Sequence, residues 1–78
     1  MNKLRLLEYN DKHIVYQYIP EDAGEPGEVI FDAITGEITI QKIAQNDESG
    51  TYGYKATRRI AEYIKKKNLP IDAIQAWY

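Results

Sequence analysis

The sequence predicts an α+β domain: an antiparallel sheet of about four strands in two hairpins, one helix at about residues 50–67, and an apolar C-terminal tail that returns to the sheet. Three observations lead there. Residues 12–19 and 28–43 hold short runs of β-branched and aromatic residues separated by turn residues, the pattern of hairpins. Residues 56–64 place Ala56, Ile60, Tyr63 and Ile64 at helical spacing among charged residues. The length of 78 residues suits a single domain, 1–78.

The elements follow in chain order. Leu4, Leu6 and Tyr9 precede Asn10-Asp11, a pair whose side chains bond nearby backbone and tolerate left-handed geometry. His13 to Ile19 then fits a pleated surface, so residues 3–9 and 12–19 read as the first hairpin. Pro20 to Gly27 carries two prolines, two glycines and three acids and reads as a loop. Residues 28–34 and 37–43 form the second hairpin, with Gly36 free to take the positive φ that a three-residue turn with a bulge requires. Ser49 or Thr51 is positioned to cap the helix, and Asn68 followed by Pro70 ends it. Gly50 and Gly53 lower helix propensity but permit close approach to the sheet. Ile71 to Tyr78 is too apolar for solvent and is expected to lie along the sheet as an edge strand or packed segment.

Composition narrows the class. The chain has no cysteine, so neither disulfides nor a zinc–thiolate centre supplements its core, and its 44% hydrophobic content must drive folding. No segment approaches the roughly 20 apolar residues of a membrane-spanning helix. Arg5 and Glu8 interrupt the place where a signal peptide needs an apolar stretch, so the expected location is the cytoplasm. The net charge of −2 conceals an asymmetry: residues 1–19 carry +1, residues 20–50 carry −7 and residues 51–78 carry +4.

No catalytic, cofactor-binding or metal-binding set stands out, and no cofactor is expected. His13 is the only histidine and lacks a neighbour of matching chemistry in the sequence. Glu21, Asp22, Glu25 and Glu28 lack calcium-loop spacing and read as a solvated loop. Gly50 to Lys55 matches neither the P-loop nor the dinucleotide fingerprint. Arg58, Arg59, Lys65 and Lys66 are candidate phosphate contacts for a nucleic acid. Ordinary helix electrostatics account for most of them: cations gather in the last turn, and Arg58–Glu62 and Glu62–Lys66 are opposite-sign pairs one turn apart. A sequence pI near 5.3 also weighs against a nucleic-acid partner.

The aromatic residues carry the stronger signal. Seven tyrosines and one tryptophan are many amphipathic rings for this length. Tyr16 and Tyr18 share one strand face. One helix covers only one face of the sheet, yet Val29 and Phe31 on one face and Ile30 and Ile34 on the other make both apolar. The uncovered face is therefore a candidate partner surface, with Tyr16, Tyr18, Trp77 and Tyr78 as its candidate residues.

Tyr18-Ile19-Pro20-Glu21, Gly24 to Val29, Phe31-Asp32 with Thr35-Gly36-Glu37, and Ala76-Trp77-Tyr78 together resemble a group of small uncharacterised bacterial proteins across residues 16–78. That resemblance implies that the Pro/Gly loop and the terminal Trp77-Tyr78 belong to the domain; it implies no catalytic or ligand-binding residue. Asp32-Ala33-Ile34-Thr35-Gly36-Glu37 also looks like the D-x-x-T-G-E hairpin of PepSY-type domains, over one turn only. The resulting expectation is a non-catalytic interaction module. It would use an exposed tyrosine-bearing sheet face or a sheet edge toward a protein partner or a second copy. The alternatives are nucleic-acid binding through the basic helix face and, last, a small enzyme.

Overall fold

The computed structural model describes residues 1–76. Strands β1 (Asn2–Tyr9), β2 (His13–Pro20), β3 (Gly27–Asp32) and β4 (Ile38–Lys42) precede helix α1 (Thr51–Lys66), and β5 (Asp72–Gln75) follows it. The sheet order is β4-β3-β2-β1-β5, with every neighbouring pair antiparallel. The sheet thus has five strands where the sequence suggested about four. The fifth is the apolar tail, which pairs with β1 from Asn2↔Gln75 to Arg5↔Asp72. Lys67 turns the chain out of the helix in a left-handed conformation, and the Leu6 N–H reaches the Ile71 carbonyl at 2.8 Å as β5 begins. The helix is not long and apolar enough to cross a membrane.

Local chemistry sets both hairpin turns. Asn10 Oδ1 accepts from the N–H groups of Lys12 and His13, closing the first turn. β1 then carries a bulge at Leu7, because Leu6 faces Tyr16 while Glu8 faces Val15. In the second turn Asp32 Oδ1 accepts from Ile34 and Thr35, and Gly36 takes φ 78°. These bonds draw residues 33–36 out of the ladder, so β3 and β4 are shorter than the expected 28–34 and 37–43.

The helix packs against one face of the sheet. Leu4, Ile14, Tyr16, Tyr18 and Val29 meet Ala56, Ile60 and Ala44 in the core. Gly27 makes room for this: a Cβ there would lie 2.2 Å from the Tyr18 ring and 2.7 Å from the Ala44 nitrogen. The helix cap differs from expectation. Gly50 occupies the N-cap position with a positive φ and no side-chain bond. The buried Asp47 caps from outside: Oδ1 accepts from the Tyr52 N–H (3.0 Å) and Oδ2 from the Gly53 N–H (2.8 Å). Ser49 Oγ reaches the Thr51 N–H at only 3.3 Å. A carboxylate held among free helix N–H groups satisfies more donors than a hydroxyl and suits the positive helix end.

Candidate functional site

Tyr16 and Tyr18 do not form the exposed surface expected of them. Tyr16 and Tyr18 are both fully buried, on the face that the helix covers. They belong to the same alternation as Ile14, and across the ladder they meet Leu6, Leu4, Val29 and Gly27, so turning them outward would expose the whole core. Their hydroxyls are bonded inside. Tyr16 donates to the Pro70 carbonyl at 2.6 Å. Tyr18 donates to Asp47 Oδ2 at 2.9 Å and accepts from the Ala44 N–H at 3.0 Å. Burial, reinforced by Tyr63, pushes the Tyr16 hydroxyl up to about 12. Burial also raises Tyr18, with Asp47 adding to it and the Ala44 bond opposing it. Trp77 and Tyr78, the other two members of that candidate set, lie outside the described residues.

The face opposite the helix is a charge ladder. The strand registers align Asp72, Arg5, Gln17, Glu28 and Lys42 in one row across all five strands. Arg5 bonds Asp72 at 3.2 Å, His13 Nε2 meets Glu8 at 3.0 Å and Lys3 approaches Asp22 at 3.8 Å. Val15 is buried in this face, Ile19 and Ile30 are half-buried and Ile74 is 64% exposed, so apolar side chains lie among the charges. At one end of the sheet, Glu21 joins the Met1 ammonium and the Tyr52 hydroxyl. The ammonium first, and then that hydroxyl, hold the Glu21 carboxyl below its usual range.

Three of the four candidate basic helix residues border shared clefts. Arg58 stacks 5.8 Å from the centre of the Tyr54 ring, and Arg59 lies 3.9 Å from Glu62. These two arginines border a cleft of about 210 Å³ against Gln75 and Ala76, with Glu62 inside it. Lys66 shares a second cleft with Arg59 and Tyr63. Lys65 lies elsewhere, beside Phe31 and Ile38. Arg58, Arg59 and Lys66 therefore line two clefts that share Arg59 and Glu62, and Lys65 lies apart from them.

Strand β4 forms one edge of the sheet. Asp32 N–H donates to the Glu37 carbonyl at 2.8 Å. Bonded and non-bonded pairs alternate along an antiparallel ladder, so Thr39 bonds with Ile30 while the backbone groups of Ile38 and Ile40 turn outward. Beside this edge lies a cleft of about 170 Å³ lined by Phe31, Gly36, Ile38, Ala61, Ile64 and Lys65. Ile40 is 36% exposed, and Ile43 and Tyr54 are 62% and 59% exposed. At the other edge, β5 is four residues long and is tied down: Asn2 Nδ2 donates to Gln75 Oε1, and Gln75 Nε2 donates to the Lys55 carbonyl.

A further cleft of about 380 Å³ lies between the first hairpin and the helix C-terminus and is lined by Tyr9, Ile14, Ile64, Lys67 and Leu69. It brings the Tyr9 hydroxyl and the Lys67 ammonium to an apolar wall of Ile14, Ile64 and Leu69. Among the described residues, no three histidine or carboxylate side chains are grouped to hold a metal ion. No protein-family model matches the chain, and no curated protein or solved structure is significantly similar to it.

Proposed function

We propose that this chain is a non-catalytic protein-interaction domain that captures an extended segment along β4. The observation that carries the reading is the outward backbone of Ile38 and Ile40 beside an apolar cleft. An incoming strand would bond to these groups and place alternate side chains against Ile38, Ile40 and Ala61, the arrangement of strand addition. Strand edges are ready templates for pairing, and this one carries Lys42 and a bulge only at its far end. The first half of β4 is regular.

The test is nuclear magnetic resonance titration with a soluble peptide of alternating valine and threonine, flanked by lysines. The expected result is shifted and protected amides at Ile38 and Ile40, with peptide side chains contacting Ala61. Shifts confined to the Arg5–Glu28 row or to the Lys55–Lys66 helix face, or none at about 1 mM peptide, the weak end of specific recognition, would overturn the reading.

A further inference from the structure

Resting on that reading of β4, we infer that the segment it captures is β4 of a second copy. The two copies form a two-fold dimer with a continuous ten-stranded antiparallel sheet. The register follows from the chain itself. Only Ile38 and Ile40 turn their backbone groups outward within the regular part of the strand. A two-fold axis perpendicular to the sheet at Thr39 pairs Ile38 with the partner's Ile40, and Ile40 with the partner's Ile38, through four backbone hydrogen bonds. Sliding the register by one step in either direction fails. One slide brings the bulge at Gln41 into the new ladder, and the other brings in Gly36, which is held at φ 78°.

The side chains are complementary in this register. On the helix side, Ile38 and Ile40 of both copies meet across the junction, and each partner isoleucine lies over the cleft that Ile38 and Ala61 line. This covers Ile40, among the apolar side chains that the single copy leaves exposed. On the opposite side, the two Thr39 residues form the central non-bonded pair, a favourable cross-strand neighbour. β4 is flanked by Glu37 at its start and ends at Lys42, so antiparallel pairing sets Glu37 opposite the partner's Gln41, one residue from the partner's Lys42, and keeps like charges at opposite ends. The contact is isologous, so it closes at two copies. It lies at the small end of specific interfaces, below roughly 1,200 Å², and so it depends on concentration.

Sedimentation from about 10 μM to about 1 mM, a range suited to a small interface, is expected to show the mass rising from 9.0 kDa toward twice that value. Ile40→Pro removes an outward N–H and leaves the β3 pairing intact, so it is expected to stay monomeric with an unchanged circular dichroism spectrum. Ile40→Lys serves the same purpose if the proline variant does not fold. The register has its own check, since the chain has no cysteine. With oxidised glutathione, Thr39→Cys is expected to cross-link, because a central non-bonded pair sits at disulfide distance. Gln41→Cys, opposite Glu37, is expected not to. A wild-type mass of 9.0 kDa throughout, a dimer that survives both Ile40 variants, or cross-linking of Gln41→Cys but not of Thr39→Cys overturns the inference. A monomer whose Ile38 and Ile40 amides still respond to the valine–threonine peptide sinks the dimer alone and leaves strand capture standing.

Discussion

Tyr18 shows how much one hydroxyl organises. Its ring fills the space that Gly27 leaves, and its oxygen joins the Ala44 N–H to the Asp47 carboxylate in a buried chain of bonds. Tyr18→Phe keeps the ring but strands the Ala44 N–H and takes one donor from a buried carboxylate. An unsatisfied buried donor costs about 1–3 kcal/mol, so the loss in urea denaturation should fall in that range. Tyr16→Phe frees only the half-buried Pro70 carbonyl and should cost about 1 kcal/mol, the value of an ordinary hydrogen bond. Equal losses in the two variants would show that the Ala44–Tyr18–Asp47 chain contributes no more than the single Tyr16–Pro70 bond. Neither role is legible in the sequence. Tyr16 and Tyr18 sit in a strand whose other face, Val15 and Ile19, is also apolar, so alternation groups the residues by face without saying which face the helix will cover.

Among the elements, the helix has the clearest sequence signal and the least expected start. Its apolar repeat and its cationic last turn are local features, and Thr51–Lys66 lies within the expected 50–67. Its cap is non-local in effect, because Asp47 serves Tyr52, Gly53 and the strand residue Tyr18 together. Asp47→Ala removes the helix cap and the partner of Tyr18 in one step. It should cost more than the roughly 1 kcal/mol typical of a cap, nearer 2–3 kcal/mol with the buried donors included. A urea midpoint within error of wild type would show that Ser49 takes over the cap. The strands divide similarly. Both hairpins are visible in their turn residues, whereas β5 has no turn marking its pairing with β1; that pairing depends on Lys67 redirecting the chain after the helix.

At the scale of the whole molecule, one helix over five strands leaves a bare face and two edges. The bare face carries a charge row, and Gln75 at the end of β5 is bonded to Asn2 and to the helix; the first half of β4 has neither feature. The buried tyrosines also give the whole fold an alkaline limit. An exposed tyrosine loses its proton near pH ~10, whereas Tyr16 keeps its proton to about 12 and Tyr18 is shifted the same way. Through that window the folded chain binds more protons than the unfolded one, so stability declines as pH rises. Urea midpoints measured between pH ~9 and ~11.5 should fall, and Tyr16→Phe should flatten the decline, because a phenylalanine has no proton to lose in either state. A decline equally steep in Tyr16→Phe would assign it to other groups.

By itself the sequence determined the class of the fold, the two hairpins with their Asn10 and Asp32–Gly36 turns, and the body of the helix. Each of these is decided by residues within a few positions of one another, through turn chemistry and periodicity. Tertiary structure decided which face the helix covers, that the tail becomes a fifth strand, and that Asp47 caps the helix. It also decided that Tyr16 and Tyr18 are buried and that β4 is an edge strand of the sheet. These outcomes depend on which apolar face buries more volume and on which distant polar groups can be satisfied together, and no local pattern in the chain encodes that comparison.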